Sequence, residues 1–286
     1  MRSSWKRWLH VLGGCLGVLG IVFVALRLHA YSEEMDFARF DGGDWLLVAF
    51  LSLTYGANNL LLAQAWRQLL LFLGIQVENR WAIKTYGLSQ LAKYVPGNIF
   101  HLAGRQALGM AAGLPAGALA KSALWELGLI AVAGALFGLL ALPLLWPALP
   151  VFMAMGMFAA MFIMAMLVLR KVLVSSVSMA LLWQVVFLTI SGFVFICILA
   201  LVAPSNLSIS MLPALCGAYV IAWLAGLVTP GAPAGVGVRE LVLLFLLKGV
   251  VAEADLLLAV VLGRVVTVLG DFSCFLSAVL IRSRAR

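Results

Sequence analysis

Two short stretches carry most of the chemistry available to this chain. The first, KYVPGNIFHLAGR at residues 93–105, gathers Lys93, Asn98, His101 and Arg105 around a Pro96-Gly97 break. The second, PGAPAGVGVRE at residues 230–240, places Arg239 and Glu240 beyond Pro230-Gly231, with Gly235 and Gly237 between. In both, an arginine follows the proline by nine residues. Proline removes a backbone donor and blocks the helix before it, while glycine permits a tight turn. A helix that restarts after such a break offers free N–H groups to an anion. Arginine adds a fork that grips phosphate with two parallel bonds. The pattern points to binding of a phosphate-bearing anion.

The surroundings set the stage for that chemistry. Hydrophobic residues make up 65% of the chain and charged residues only 10%. A soluble domain has roughly 25% charged residues, so this composition is that of an integral membrane protein. Lipid cannot satisfy broken backbone, which is tolerated only where it lines a watery cavity or is buried in protein. The two Pro-Gly sites therefore predict hairpin tips around a polar cavity. The net charge of +8 does not imply nucleic acid, because no soluble basic domain is available to bind it. Basic loops on the cytoplasmic face account for it. Cys15, Cys197, Cys216 and Cys274 all lie in apolar runs and read as small core residues. Neither a metal site nor a cofactor is expected.

Hydropathy and breaks give the elements. Full spans are expected at about 8–28, 45–73, 117–142, 151–169, 175–202 and 256–281. The segment MRSSWKRW at the start also resembles a signal peptide, but the apolar run behind it is long enough to span and is expected to stay. Regions 82–112 and 210–250 are each broken near the middle. If both dip into the membrane and return, every basic cluster falls on one side, with both termini cytoplasmic. The acidic segments EEMDFARFDGGD and VAEAD then fall on the other. The expected fold is an all-α polytopic membrane protein with about six full transmembrane helices and two broken re-entrant hairpins. Its halves, about 8–142 and 151–281, form an inverted repeat, a recurrent transporter plan. Eight full spans, with 210–229 and 236–250 each crossing, are the alternative.

Charges at bilayer depth are costly and should face one another or a substrate. Beyond the two motifs these are Glu126, Arg264 and, seven residues after it, Asp271. Arg239 with Glu240, and Arg264 with Asp271, could instead be structural pairs. Lys93 and Lys121 could snorkel to the interface. Asn58 and Asn59 read as interhelical glue.

The two motifs resemble those of the transmembrane region of lysylphosphatidylglycerol synthase/flippase proteins, and the resemblance extends over essentially the whole chain. It rests on Lys93, Pro96, Gly97 and Arg105 in the first motif, and on Pro230, Gly231, Gly235, Gly237, Arg239 and Glu240 in the second. The second motif departs from the family's compact Pro-Gly-Gly by extra residues that include Pro233. The soluble aminoacyl-transferase domain of bifunctional members is absent from this sequence. The resemblance implies a bacterial inner-membrane protein that moves an anionic phospholipid, or a polyprenyl-phosphate-linked sugar, between leaflets. Lys93, Asn98, His101, Arg105, Glu126, Arg239, Glu240, Arg264 and Asp271 are the candidate substrate-binding residues. Two other readings stand beside it. One is a membrane transferase whose acidic loop (Glu33, Glu34, Asp36, Asp41 and Asp44) holds a metal. The other is a non-transporting partner of a lipid or polysaccharide biosynthesis enzyme. The sequence leaves the oligomeric state open.

Overall fold

The computed structural model describes residues 40–95, 99–203, 208–229, 235 and 237–282. The expected first helix at 8–28 and the tip residues Pro96, Gly97, Asn98, Pro230 and Gly231 lie outside the described residues. Among those described, the chain is an all-α membrane protein of nine α-helices: α1 Gly42–Phe72, α2 Asn79–Gln90, α3 Phe100–Ala111, α4 Ala116–Leu145, α5 Val151–Val172, α6 Ser175–Val202, α7 Leu212–Val228, α8 Val238–Leu246 and α9 Glu253–Leu280.

Local chemistry explains where helices stop. Asp41 caps α1 in a reciprocal box with Asp44, each carboxylate accepting from the other's backbone N–H at 2.9 and 3.0 Å. After α2, a 3-10 turn at Leu91–Tyr94 ends at Val95, whose ψ of 132° is extended. Helix α7 ends the same way at Thr229, with ψ 112°. Each of these residues precedes a proline, which excludes the helical conformation from its neighbour.

Helix α4 serves as a depth gauge, since its 30 residues span about 45 Å. Arg105 and Gly109 of α3 meet Glu126 and Leu119 of α4, so α3 runs antiparallel along the first half of α4. Gly217, Ile221 and Leu224 of α7 meet Ala141, Gly138 and Gly134, so α7 runs antiparallel along its second half. The first hairpin (α2–α3) and the second (α7–α8) thus approach from opposite ends and stop near mid-depth.

Among the described residues, six helices are long and apolar enough to cross a membrane. Five of them (α1, α4, α5, α6 and α9) match expected spans. The sixth is Ile209–Val228, which was expected as a hairpin arm. Its composition suits a full crossing, yet its register on α4 ends it near the depth of Ile130, about 20 Å short of the far end of α4. The return arm α8 has nine residues, or about 13 Å, too short to cross. That geometry argues against the eight-span alternative, whose second crossing would fall there. Helix α5 is peripheral, with only 6% of its span buried. An inverted repeat of 8–142 with 151–281 would draw on residues before 40, outside the described residues.

One end of the bundle collects Arg67, Arg80, Lys84, Lys121, Arg170, Lys171 and Arg282, with Glu78. The opposite end carries Asp41, Asp44, Glu253 and Asp255, with Lys248.

Candidate functional site

The hairpins converge on a buried cavity of about 80 Å³. That is smaller than the ~150 Å³ cavity that takes a benzene, so it suits a phosphate-sized group and a few waters. Its wall includes Lys93, Tyr94, His101 and Leu102 from the first hairpin, Trp223, Leu227 and Arg239 from the second, Glu126 from α4, and Arg264 and Asp271 from α9.

Most of the charge here is already spent. Arg105, 3% exposed, sets its Nη1 at 2.8 Å from Glu126 Oε2 and 3.0 Å from Oε1. Its guanidinium stacks 4.3 Å from the Tyr86 ring centroid and 5.5 Å from that of Trp66. Tyr86 donates its own hydroxyl to Glu126 at 3.1 Å. Tyr86 on α2 and Arg105 on α3 thus meet on one acid of α4. Expected as a substrate ligand, Arg105 instead lies outside the cavity lining, packed against Glu126, and ties the hairpin to α4.

Asp271 is fully buried. It accepts from Tyr94 at 2.5 Å, from Asn59 at 3.1 Å and from Gln90 at 3.3 Å, and pairs with Lys93 at 2.6 Å. Arg264 donates to Glu240 Oε1 from Nη2 at 2.9 Å and from Nε at 3.2 Å, and to the Gly235 carbonyl at 3.1 Å. The two structural pairs considered from sequence, Arg239 with Glu240 and Arg264 with Asp271, are therefore not the ones formed. Glu240 serves Arg264, and Asp271 serves Lys93.

Arg239 is left over. Its Nε is buried with no hydrogen-bond partner, and no carboxylate lies in ion-pair range among the described residues. Its guanidinium sits 5.8 Å from the Trp223 ring centroid. The side chain reaches the cavity across Gly226, where an added Cβ would stand 2.9 Å from the arginine Cγ. Gly235, at φ +72°, lets the backbone approach Gly226 closely, with an added Cβ only 2.7 Å from the Gly226 Cα. His101 contributes a second buried group without a partner, its Nδ1.

Tyr55, Tyr86, Gln90, Tyr94 and Trp223 also line the cavity and were missed from sequence. For Gln90, Tyr94 and Trp223 the signal available was a polar or amphipathic residue within about two turns of a Pro-Gly break; Tyr86 and Tyr55 lie farther from either break and carried no such signal. Asn58 does bridge helices, donating to the Phe187 carbonyl and Ser191 at 3.0 Å each. Asn59 does more, since it supports Asp271. Lys121 is exposed. Cys197, Cys216 and Cys274 are free thiols; Cys15 lies outside the described residues. Of the acidic loop, Asp41 and Asp44 are engaged in capping α1. No family model, curated protein or solved structure matches the chain.

Proposed function

We propose that the protein is an inner-membrane transporter of a lipid whose head group is an anionic phosphate, an anionic phospholipid or a polyprenyl-phosphate-linked sugar. The observation that carries this reading is Arg239, a cation held at mid-depth beside a phosphate-sized cavity with no carboxylate in ion-pair range among the described residues. An unpaired charge at membrane depth is expensive, and a transient anionic cargo would relieve it. The hairpins reach the cavity from opposite ends, which suits access from each leaflet in turn. Half-exposed Leu102, Leu127 and Leu227 line the same cavity, so lipid tails could stay outside while the phosphate enters. By the positive-inside rule the basic end faces the cytoplasm, and with it the C-terminal end of α9.

Purified protein in liposomes with fluorescent phosphatidylglycerol provides the test. Movement of label between leaflets faster than in protein-free vesicles is expected, and the protein-free rate with both this lipid and a labelled farnesyl phosphoglucose would refute the transport reading. In the same preparation, cysteines introduced at 78 and 253 should label from opposite sides.

A further inference from the structure

The cavity cluster has a countable charge, and the count selects among phosphate lipids. Among the described residues, four cations meet there, Lys93, Arg105, Arg239 and Arg264, against three carboxylates, Glu126, Glu240 and Asp271. At pH 8 an imidazole of ordinary pKa, about 6.5, is neutral, so the surplus is one positive charge. The tip residues outside the described set are Pro96, Gly97, Asn98, Pro230, Gly231, Ala232, Pro233, Ala234 and Val236. None of them is ionisable. At this depth solvent screens weakly, so an uncompensated charge of either sign is penalised.

We infer that the cargo is a lipid phosphodiester bearing one negative charge, held between Arg239 of the second hairpin and Lys93 of the first. This deepens the transport reading and rests on it. A monoanion brings the cluster to neutrality. A phosphomonoester dianion or a diphosphate overshoots and leaves excess negative charge beside Glu126 and Asp271. Lys93 is the cation most easily shared. Its side chain is 19% exposed, against 4% for Arg105 and 8% for Arg264. Asp271 keeps Asn59, Gln90 and Tyr94 as donors if Lys93 turns to a ligand. Glu240 has no such reserve, since Arg264 is the donor it holds and its Oε2 has none. Cargo binding therefore draws on one cation from each hairpin and links them through the phosphate.

The test is competition in detergent at pH 8, with radiolabelled short-chain phosphatidylglycerol as the bound probe. Unlabelled short-chain phosphatidylglycerol, phosphatidic acid, farnesyl phosphoglucose and diacylglycerol compete. A phosphomonoester has a second ionisation, at about pH 6 for phosphorylated side chains, that a phosphodiester lacks, so at that pH phosphatidic acid carries more negative charge than either phosphodiester. At least one of the two phosphodiesters should bind more tightly than phosphatidic acid by on the order of tenfold or more, the penalty for one uncompensated charge at partial solvation. Diacylglycerol should not compete. The stronger phosphodiester identifies glycerolipid or polyprenyl cargo; if the probe itself does not bind, farnesyl phosphoglucose is labelled instead. Glu240→Gln raises the surplus to two and should move the preference toward phosphatidic acid; the wild-type comparison stands alone if that variant fails to fold. Equal or tighter binding of phosphatidic acid would overturn the charge match while leaving transport intact. Preferred phosphodiester binding without leaflet transfer would support the charge match and remove the transport reading.

Discussion

Arg105 and Arg239 occupy the same place in their hairpins, nine residues after a Pro-Gly break, and have opposite fates. Arg105 is neutralised by Glu126 and stacked on Tyr86 and Trp66. Arg239 rests near Trp223 with no acid in range among the described residues. Spacing places a cation, but its partner decides its role. In the first hairpin the arginine holds Glu126; in the second it has no acid in range among the described residues and is the cation proposed to take a ligand. The difference between them should be measurable as a separation of stability from activity.

The largest stability effect is expected at Arg105→Ala. It strands Glu126 at 6% exposure, and breaking a buried pair by removing one partner costs about 3–5 kcal/mol. Thermal unfolding in detergent should register this as a large loss of folded protein. A melting point near that of wild type would mean that Arg105 is not the structural member of the two.

A smaller effect is expected at Lys93→Gln. Asp271 loses one charged donor but keeps three neutral ones, so the cost should approach a single charge-assisted hydrogen bond, about 1.5–3 kcal/mol. Transport should fall more than stability does, because Lys93 also faces the cavity. A variant as unstable as Arg105→Ala would make Lys93 a structural anchor alone.

Much of the fold could be read from the residues. Proline forces its predecessor out of the helix, so the breaks at 96 and 230 were legible, and apolar run length gave the five expected spans that fall within the described residues. The depth reached by α7 was not, because an apolar run of 20 residues reads the same whether it crosses or stops against a partner. The ion pairs were hidden for a different reason. Lys93 with Asp271 and Glu240 with Arg264 join elements far apart in the chain, and sequence neighbours such as Arg239 and Glu240 invite the wrong pairing. The cluster of charges was therefore visible, whereas the identity of its surplus member was not. Equal spacing from Pro-Gly suggested equal roles, and only the position of Glu126 on α4 separates them.

Arg239→Ala should have the smallest stability effect, because no carboxylate among the described residues is stranded and the lost contact with Trp223 is worth about 0.5–2 kcal/mol depending on its desolvation. Transport of labelled anionic lipid by this variant in proteoliposomes is the most direct measurement, made on protein whose melting point has been matched to wild type. Leaflet transfer should drop to the protein-free rate, and Arg239→Lys should restore part of it through charge without the fork. Full transport by folded Arg239→Ala protein would contradict Arg239 as the cargo's cation.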